Sequence, residues 1–463
     1  MILIAVISII FLLGSLKYPD YIFWIAVTLF LDPGGYIQTY VPRTLLGGLK
    51  ITDLTFVLLF IPLISPKIKL KSFFIQRDNQ WIVLFLLTYT LVYHIFVYGY
   101  IAPGGNINNV LDLLQYQRLT LWGFLSIIPA YIFFRRNYKL FFKFAITTSL
   151  ILMLFYIIRL TTGLNIVPIW EFERGRNSGI MRVALLGYGF AQWFLYMLFI
   201  KIIFRLRLPK INWFYFIAIT IFIAEILTLT RRVIFSMIFQ FFLVYYLHQQ
   251  MMGKSLLSLK LRKVLLFGFG FILVLYMIAP KYINYTLIGV EDAISIVQKG
   301  SNSSGEIDGR IEGDIPKHLG RFKESPIIGY GWDELWYSNK TLEGGLSAND
   351  VPLTAALGMF GVLGLLFFMP FYLRVFKILY KTYKLLKYFY LSGKAKKNAL
   401  LFTICLFLTI IFISKYTVSF MNYFSDLTSG VPRVLNMLYL GFLLAAADLL
   451  RNTNTKKEIS KNH

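Results

Sequence analysis

Residues 352–373 read PLTAALGMFGVLGLLFFMPFYL and carry no charge over twenty-two positions. A helix that crosses the hydrocarbon core of a bilayer needs roughly 20 mostly apolar residues, because lipid offers no partners to free backbone N–H and C=O groups. This stretch therefore predicts a membrane-spanning helix. A segment rich in lysine and arginine, residues 374–397, follows it directly.

The composition extends this prediction to the whole chain. Hydrophobic residues make up 57% of the 463 residues and aromatic residues 18%, which is too apolar for an ordinary soluble domain. The sequence predicts an all-α polytopic membrane protein with 12–13 transmembrane helices. The predicted spans are residues 2–16, 21–31, 52–65, 81–101, 119–134, 141–159, 183–202, 211–229, 233–248, 264–279, 352–373, 399–412 and 434–450.

The loops between these spans fall into two sets. The almost purely basic set comprises residues 67–77, 135–143, 201–210, 254–263, 374–397 and 451 onward. Together with Lys17 it holds 29 of the 47 Lys and Arg residues. Only 4 of the 22 acids belong to it, when the flanking Asp20, Asp78 and Asp448 are counted with Glu458. The positive-inside rule puts such loops in the cytoplasm and the other set outside. Thirteen spans put the N-terminus outside and twelve put it inside, so its side stays open.

The same pattern bounds the function and the organisation of the chain. A net charge of +25 is typical of nucleic-acid-binding proteins, but here the charge lies between apolar spans rather than on one basic domain, which excludes nucleic acid as a partner. The only cysteine, Cys405, excludes an intrachain disulfide and a thiolate metal cluster. We predict membrane helices with short loops over residues 1–281, a long extracytoplasmic loop over 282–346, and membrane helices with a cytoplasmic tail over 347–463.

Arg231 and Arg232 stand at the predicted outer end of a span, directly after the sequence LTLT of residues 227–230. Ionisable groups within membrane segments are costly and usually serve a purpose. A guanidinium binds phosphate through two parallel hydrogen bonds, so the pair predicts an anion clamp. The alternative is a solvated turn whose arginines reach the lipid headgroups.

The long outer loop supplies the other candidates. Arg310 and Arg321 precede the run SPIIGYGW of residues 325–332, in which the glycines permit a tight bend beside Trp332. That tryptophan either stacks on a sugar ring or lies at the bilayer interface. The candidates for a general base, none of them favoured, are Glu306, Asp308, Glu312, Asp314, His318 and Asp350.

The order of these motifs resembles the bacterial O-antigen ligase and Wzy-type polysaccharide polymerase superfamily. The matching features run over residues 174–364: Arg176 and Arg182 around an Asn-Ser-Gly stretch, Thr230-Arg231 at the span end, Arg310 ahead of Pro326, Gly329 and Gly331, and Ala348-Asn349 ahead of Gly358 and Gly361. Where the family has a His-Asn pair this chain has Ala348-Asn349. The ligases rely on that histidine, so its absence favours a polymerase.

The resemblance implies a GT-C-like fold and an inverting glycosyl transfer from undecaprenyl pyrophosphate in the bacterial inner membrane, with the active site facing the periplasm or exterior. Arg231 and Arg310 would be catalytic, and Arg176, Arg182, Arg232, Arg321 and Trp332 would bind substrate. It implies no cofactor and no metal. The implied partners are polyprenyl-pyrophosphate-linked glycans, membrane lipids, a flippase and a chain-length regulator.

Three other functions stay open. An O-antigen ligase of lipopolysaccharide biosynthesis would share the motifs. A lipid-linked oligosaccharide transporter would share the many spans and the basic inner loops, but it is expected to show internal repeats and broken or charged helices at mid-membrane. A non-catalytic membrane scaffold would need neither the outer arginines nor the glycine-rich loop.

Overall fold

The structure is a computed structural model that describes residues 2–31, 51–103, 121, 123–162, 170–173, 181–184, 189–208, 231–253, 315–331, 352–417 and 430–459. The described chain is α-helical apart from one antiparallel hairpin. The prediction of an all-α fold is therefore confirmed for the described residues except for this hairpin. The helices are α1 Ile2–Lys17, α2 Pro19–Leu31, α3 Ile51–Phe60, α4 Lys71–Phe74, α5 Arg77–Tyr89, α6 Ile127–Arg136, α7 Tyr138–Thr162, α8 Gly189–Phe204, α9 Arg231–Met252, α10 Ile315–Glu324, α11 Pro352–Leu391, α12 Lys394–Lys397, α13 Ala399–Thr417 and α14 Gly430–Ile459.

Helix α5 continues with π-type hydrogen bonding through Thr90–Ile101, and α3 continues as the 3₁₀ turn Ile61–Ile64. The hairpin joins β1, Trp170–Glu173, to β2, Met181–Ala184, between α7 and α8. Among the described segments, two helices are long and apolar enough to cross a membrane, Arg77–Val97 and Leu353–Leu391. Buried helices of soluble proteins can pass the same test, so the count of 12–13 spans stays a prediction.

Most predicted spans in the described segments coincide with a helix, but one of them begins in a β-strand. The span predicted over 183–202 starts at Gly189, because Val183 and Ala184 belong to β2 and Val183 is the register partner of Glu171 in β1. Their β-branched and small side chains suit either structure, so hydropathy alone could not separate them. The spans predicted over 211–229 and 264–279 lie outside the described residues.

The basic segment 374–397 was predicted as a loop, and this prediction is wrong for most of its length. From Arg374 onward helix α11 continues without interruption to Leu391. Its lysines are Lys377, Lys381, Lys384 and Lys387, spaced three or four residues apart. That spacing puts them along one face of a helix, and nothing disrupts the helix before Gly393, whose φ is +70°.

The described basic segments gather at one end of the helices, which we call the basic end. Their contacts are Lys67 Nζ to Lys17 O at 2.8 Å, Arg136 Nη1 to Lys67 O at 2.8 Å, Arg136 Nε to Asp20 at 2.9 Å, Arg135 Nη1 to Ser72 O at 3.2 Å and the ion pair of Arg374 with Asp78. Each pairs residues that are distant in sequence. Three acids that flank the basic segments are thus held by arginines, Asp448 being the third.

Asp448 of α14 is the most buried of these acids, with 5% of its surface exposed. Its carboxylate accepts hydrogen bonds from Tyr131 Oη at 2.9 Å and from Gln76 Nε2 at 3.1 Å, and lies 3.3 Å from Arg135 Nε. The close approach of α6 to α14 brings these groups together. At Gly441 a side chain would meet the backbone of α6, so only a small residue allows this crossing.

The opposite end, which we call the loop end, holds the polar segments between helix pairs. Helix α7 leaves the basic end at Tyr138 and α8 returns to it at Phe204, so the hairpin between them lies at the loop end. Helix α9 starts there too, because His248 near its other end bonds Tyr390 at the end of α11. A cluster of aromatic side chains between α5 and α11, which includes the edge-to-face pair Tyr89 and Phe368, connects the two ends.

Candidate functional site

A break in helix α11 forms the centre of the candidate site. Gly361 has φ +59° and ψ −175°, which no α-helical residue adopts. In an unbroken helix the N–H groups of Val362 and Leu363 would bond the carbonyls of Gly358 and Met359. The break separates these four groups, and in an apolar environment each needs another partner.

The Pro-x-x-Gly-x-Gly segment supplies those partners, and we call residues 325–331 the glycine loop. Its carbonyls at Pro326 and Ile327 accept hydrogen bonds from Val362 N and Leu363 N, both at 2.9 Å. Its own N–H groups bond the α11 carbonyls, Tyr330 N to Gly358 O at 2.9 Å and Gly331 N to Met359 O at 3.1 Å. The glycine loop therefore provides a hydrogen-bond partner for each of the four backbone groups that the break separates.

Glycine is required on both sides of this contact. Gly329 has φ +81°, and a Cβ there would lie 2.5 Å from the carbonyl carbon of Met359. A Cβ on Gly361 would lie 2.7 Å from the carbonyl carbon of Ile327. Real Cβ atoms do not approach backbone so closely, so the two glycine motifs fit each other only without side chains.

Tyr93 of the π-helical segment fixes the same junction from a third direction. Its hydroxyl donates a hydrogen bond to the carbonyl of Phe360 at 2.8 Å and lies 3.4 Å from the carbonyl of Ile328. Its ring packs against Gly364, where a side chain would overlap it. π-helical turns occur frequently at functional sites, and this one places a hydroxyl at the exposed carbonyl of a broken helix.

Helix α10 precedes the glycine loop and is attached to the first turn of α11. His318 on its inner face is fully buried, and its Nδ1 lies 2.9 Å from Thr354 Oγ1. Burial disfavours the charged imidazole and the neighbouring Lys317 adds repulsion, so the pKa of His318 falls from 6.5 to about 4. The side chain is neutral at pH 7 and holds α10 against α11.

This buried histidine predicts acid sensitivity of the junction. The unfolded segment binds a proton near pH 6.5 and the folded one only near pH 4, so the attachment of α10 weakens as the pH falls between these values and is at full strength above 6.5. Hydrogen exchange of residues 315–331 is expected to accelerate from pH 6.5 to 4.5. In His318→Gln, which does not titrate, the rate corrected for intrinsic exchange should stay flat. Equal acceleration in both proteins would contradict this assignment.

Arg321 is the predicted substrate-binding residue whose side chain the structure describes. Its guanidinium carbon lies 4.1 Å from the centroid of the Tyr330 ring, and its Nη1 lies 3.3 Å from Glu324. A quarter of the side chain is exposed. Stacking on Tyr330 of the glycine loop restricts the rotamers of the arginine, so its positive charge stays beside the loop–helix junction.

The other predicted arginines are known by position only or lie outside the described residues. Arg231 and Arg232 occupy the first turn of α9 at the loop end, where the positive end of the helix dipole also favours an anion. Arg182 lies in β2 as the register partner of Phe172. The predicted site residues outside the described part are Arg176, Arg310, Trp332, Glu306, Asp308, Glu312, Asp314 and Asp350.

The structure adds residues that the sequence did not single out. Tyr93, Thr354 and Tyr330 each contact the junction or a predicted residue. Tyr330 lies inside the run of residues 325–332, so the sequence could have pointed to it as a site residue. Tyr93 and Thr354 lie within apolar spans, where one hydroxyl is ordinary and only the fold reveals its partner.

A scan against protein-family models and a search of curated proteins find no match to this chain. The likeness to the ligase and polymerase superfamily therefore depends on the short motifs alone. Two of those motifs, the glycine loop and Gly358 with Gly361, are in direct contact.

Proposed function

We propose that the protein is a multi-pass membrane glycosyltransferase that joins lipid-linked oligosaccharide repeat units into a surface polysaccharide. The observation that carries the proposal is the contact between the glycine loop and the break in α11, because it joins two motifs of the resemblance through backbone hydrogen bonds. The basic end supports the proposed orientation, in which the basic segments face the cytoplasm and the candidate site faces outward, since the basic end lies away from this junction. Between them, α11 runs about 18 Å from Val362 to Arg374 at 1.5 Å per residue.

In the proposed reaction a sugar hydroxyl on one lipid-linked glycan attacks the anomeric carbon of another. The new C–O bond forms as the bond to the diphosphate breaks, the diphosphate leaves with the electron pair, and the hydroxyl proton passes to a base. Negative charge grows on the leaving diphosphate, so fixed guanidinium groups lower the barrier by favouring the transition state over the ground state. Arg231 and Arg310 are the proposed catalytic pair, with Arg321 as a further phosphate contact. The base is unassigned. Burial keeps His318 from solvent, and the other five candidates lie outside the described residues.

Arg321→Ala tests the proposal on a described residue. We expect polymer synthesis to fall about 100-fold or more, because removing one preorganised donor to a developing negative charge has an effect of this order. The measurement is the length distribution of the surface polysaccharide in cells that depend on the variant, at matched protein abundance. Lys323→Ala is the control, since this exposed lysine lies on the same helix and leaves the stack on Tyr330 intact. Normal polymer in Arg321→Ala would remove Arg321 from the site.

The alternatives differ in what the purified protein does to a defined substrate. A polymerase lengthens the glycan when the lipid-linked repeat unit is the only substrate. A ligase consumes it only when a separate lipid acceptor is added, and a transporter moves it between leaflets unchanged. Reconstitution in a bilayer with each mixture therefore separates the three functions.

A further inference from the structure

A cavity of about 640 Å³ opens at the basic end, between α7, the segment after α8 and the turn that joins α12 to α13. Five cationic side chains line it: Lys139, Lys143, Arg207, Lys396 and Lys397. They come from three separate segments and are all exposed. None of the lining residues is an acid. Like charges repel, so folding brings these five together at a cost that a bound anion would offset.

None of the five cations forms an ion pair with an acid that the structure describes. Elsewhere at the basic end, Arg135, Arg136 and Arg374 each bind an aspartate. The five cations thus differ from these three arginines, each of which has an aspartate as its partner. The positive charge of the cavity is arranged for an external anion rather than for internal pairing.

The backbone also contributes to the cavity. Two helices, α7 and α13, begin at its wall with Tyr138 and Ala399, so the positive ends of both helix dipoles face the same space. The chain leaves α8 through Arg205, which has the left-handed φ of +52°. This turn ends the helix and brings Arg207 to the wall. A left-handed conformation is unfavourable for a side chain of this size, so the surrounding packing maintains it.

Most of the remaining wall is apolar, although Asn398 also contributes to it. Phe142, Leu208 and Ala399 line the cavity and are themselves buried. A small inorganic anion gains nothing from an apolar wall, whereas a phospholipid presents a phosphate beside a glycerol and acyl chains. Basic pockets between membrane helices on the cytoplasmic side are known to hold anionic headgroups.

We propose that this cavity binds the phosphate headgroup of an anionic phospholipid, with the five cations around the phosphate and the apolar wall against the first carbons of the lipid. The site lies at the opposite end from the glycine loop, so its occupation is independent of the glycosyl-transfer proposal. A bound lipid would join α7, α8 and α13 at their common end and stabilise their packing by mass action.

The test measures binding of cardiolipin to the purified full-length protein in detergent by native mass spectrometry. The variant Lys143→Gln with Lys397→Gln removes two of the five charges, and we expect the apparent Kd to rise at least about tenfold. The variant Lys69→Gln with Lys377→Gln is the matched control. It removes the same charge from exposed lysines at the basic end outside the cavity, and we expect less than about a twofold change.

Two further arms identify the ligand. Phosphatidylcholine, which has no net charge, should bind without preference for the cavity, and inorganic pyrophosphate should not displace cardiolipin at equal concentration. Equal losses in both double variants, equal retention of phosphatidylcholine, or displacement by pyrophosphate would each overturn the lipid site. If Lys143→Gln with Lys397→Gln fails to fold, Lys139→Gln with Lys396→Gln tests the same cavity with the same expected loss.

Discussion

Gly329→Ala is expected to abolish polymer synthesis and to detach the glycine loop from α11. The added methyl would overlap the carbonyl of Met359, and alanine disfavours the φ of +81° that the turn requires. Together these effects should cost on the order of 3 kcal/mol, enough to separate the loop from the helix. The backbone groups released at the break would then lose the partners that keep it stable.

Two matched alanine variants separate the overlap with Met359 from the conformational cost of the positive φ. Gly393→Ala places the same side chain at a similar φ of +70° with no atom within 4 Å, so it reports the conformational cost alone. Gly320→Ala adds a methyl to helix α10 in open space and should leave the protein as stable as before or slightly more so. Hydrogen exchange over residues 325–331 and polymer length are the two measurements. A Gly329→Ala protein that matches Gly393→Ala in both would refute the close packing of the two motifs.

Asp448→Ala is expected to have the second large effect, this time on stability. The substitution leaves the buried hydroxyl of Tyr131 and the partly buried guanidinium of Arg135 without their shared acceptor. Breaking such a pair from one side costs about 3 kcal/mol or more, because the remaining charge is left uncompensated. The midpoint of thermal unfolding in detergent should fall accordingly.

The control for Asp448→Ala is Asp20→Ala. Asp20 is also bound by an arginine, but the pair with Arg136 is at the surface, where such contacts contribute about 1 kcal/mol or less. Equal losses in the two variants would mean that the burial of Asp448 adds nothing. Asp448→Asn keeps an acceptor oxygen without the charge. Its midpoint of thermal unfolding should lie between those of Asp448→Ala and Asp20→Ala.

The helices could be predicted from the sequence where a long apolar run ends at a clear breaker. Helix α13 begins at Ala399, as its span was predicted to, because polar residues precede the run. The prediction failed where charge and helix coincide. Residues 374–391 were assigned to a loop for their lysines, although lysine is a good helix former and their spacing fits one helical face.

The candidate site was predictable in its parts but not in its assembly. Gly329 and Gly361 were singled out separately, since glycine after proline and paired glycines in a span are visible in any sequence. Their mutual contact depends on the break at Gly361, and an apolar helix with two glycines has no local sign of one. His318 was predicted in the long outer loop, but it is buried in α10, since a neutral imidazole suits an apolar contact when one nitrogen has a partner.

The separation between Asp448 and its partners has a consequence for how each copy of the protein is made. Tyr131 and Asp448 are 317 residues apart, and Gln76 and Asp448 are 372 apart. At about 5 to 20 residues per second, the ribosome adds the acid roughly 15 to 60 seconds after the tyrosine. During that interval α6 lacks the helix that covers it, so nascent chains depend on the insertion machinery or on chaperones until α14 arrives.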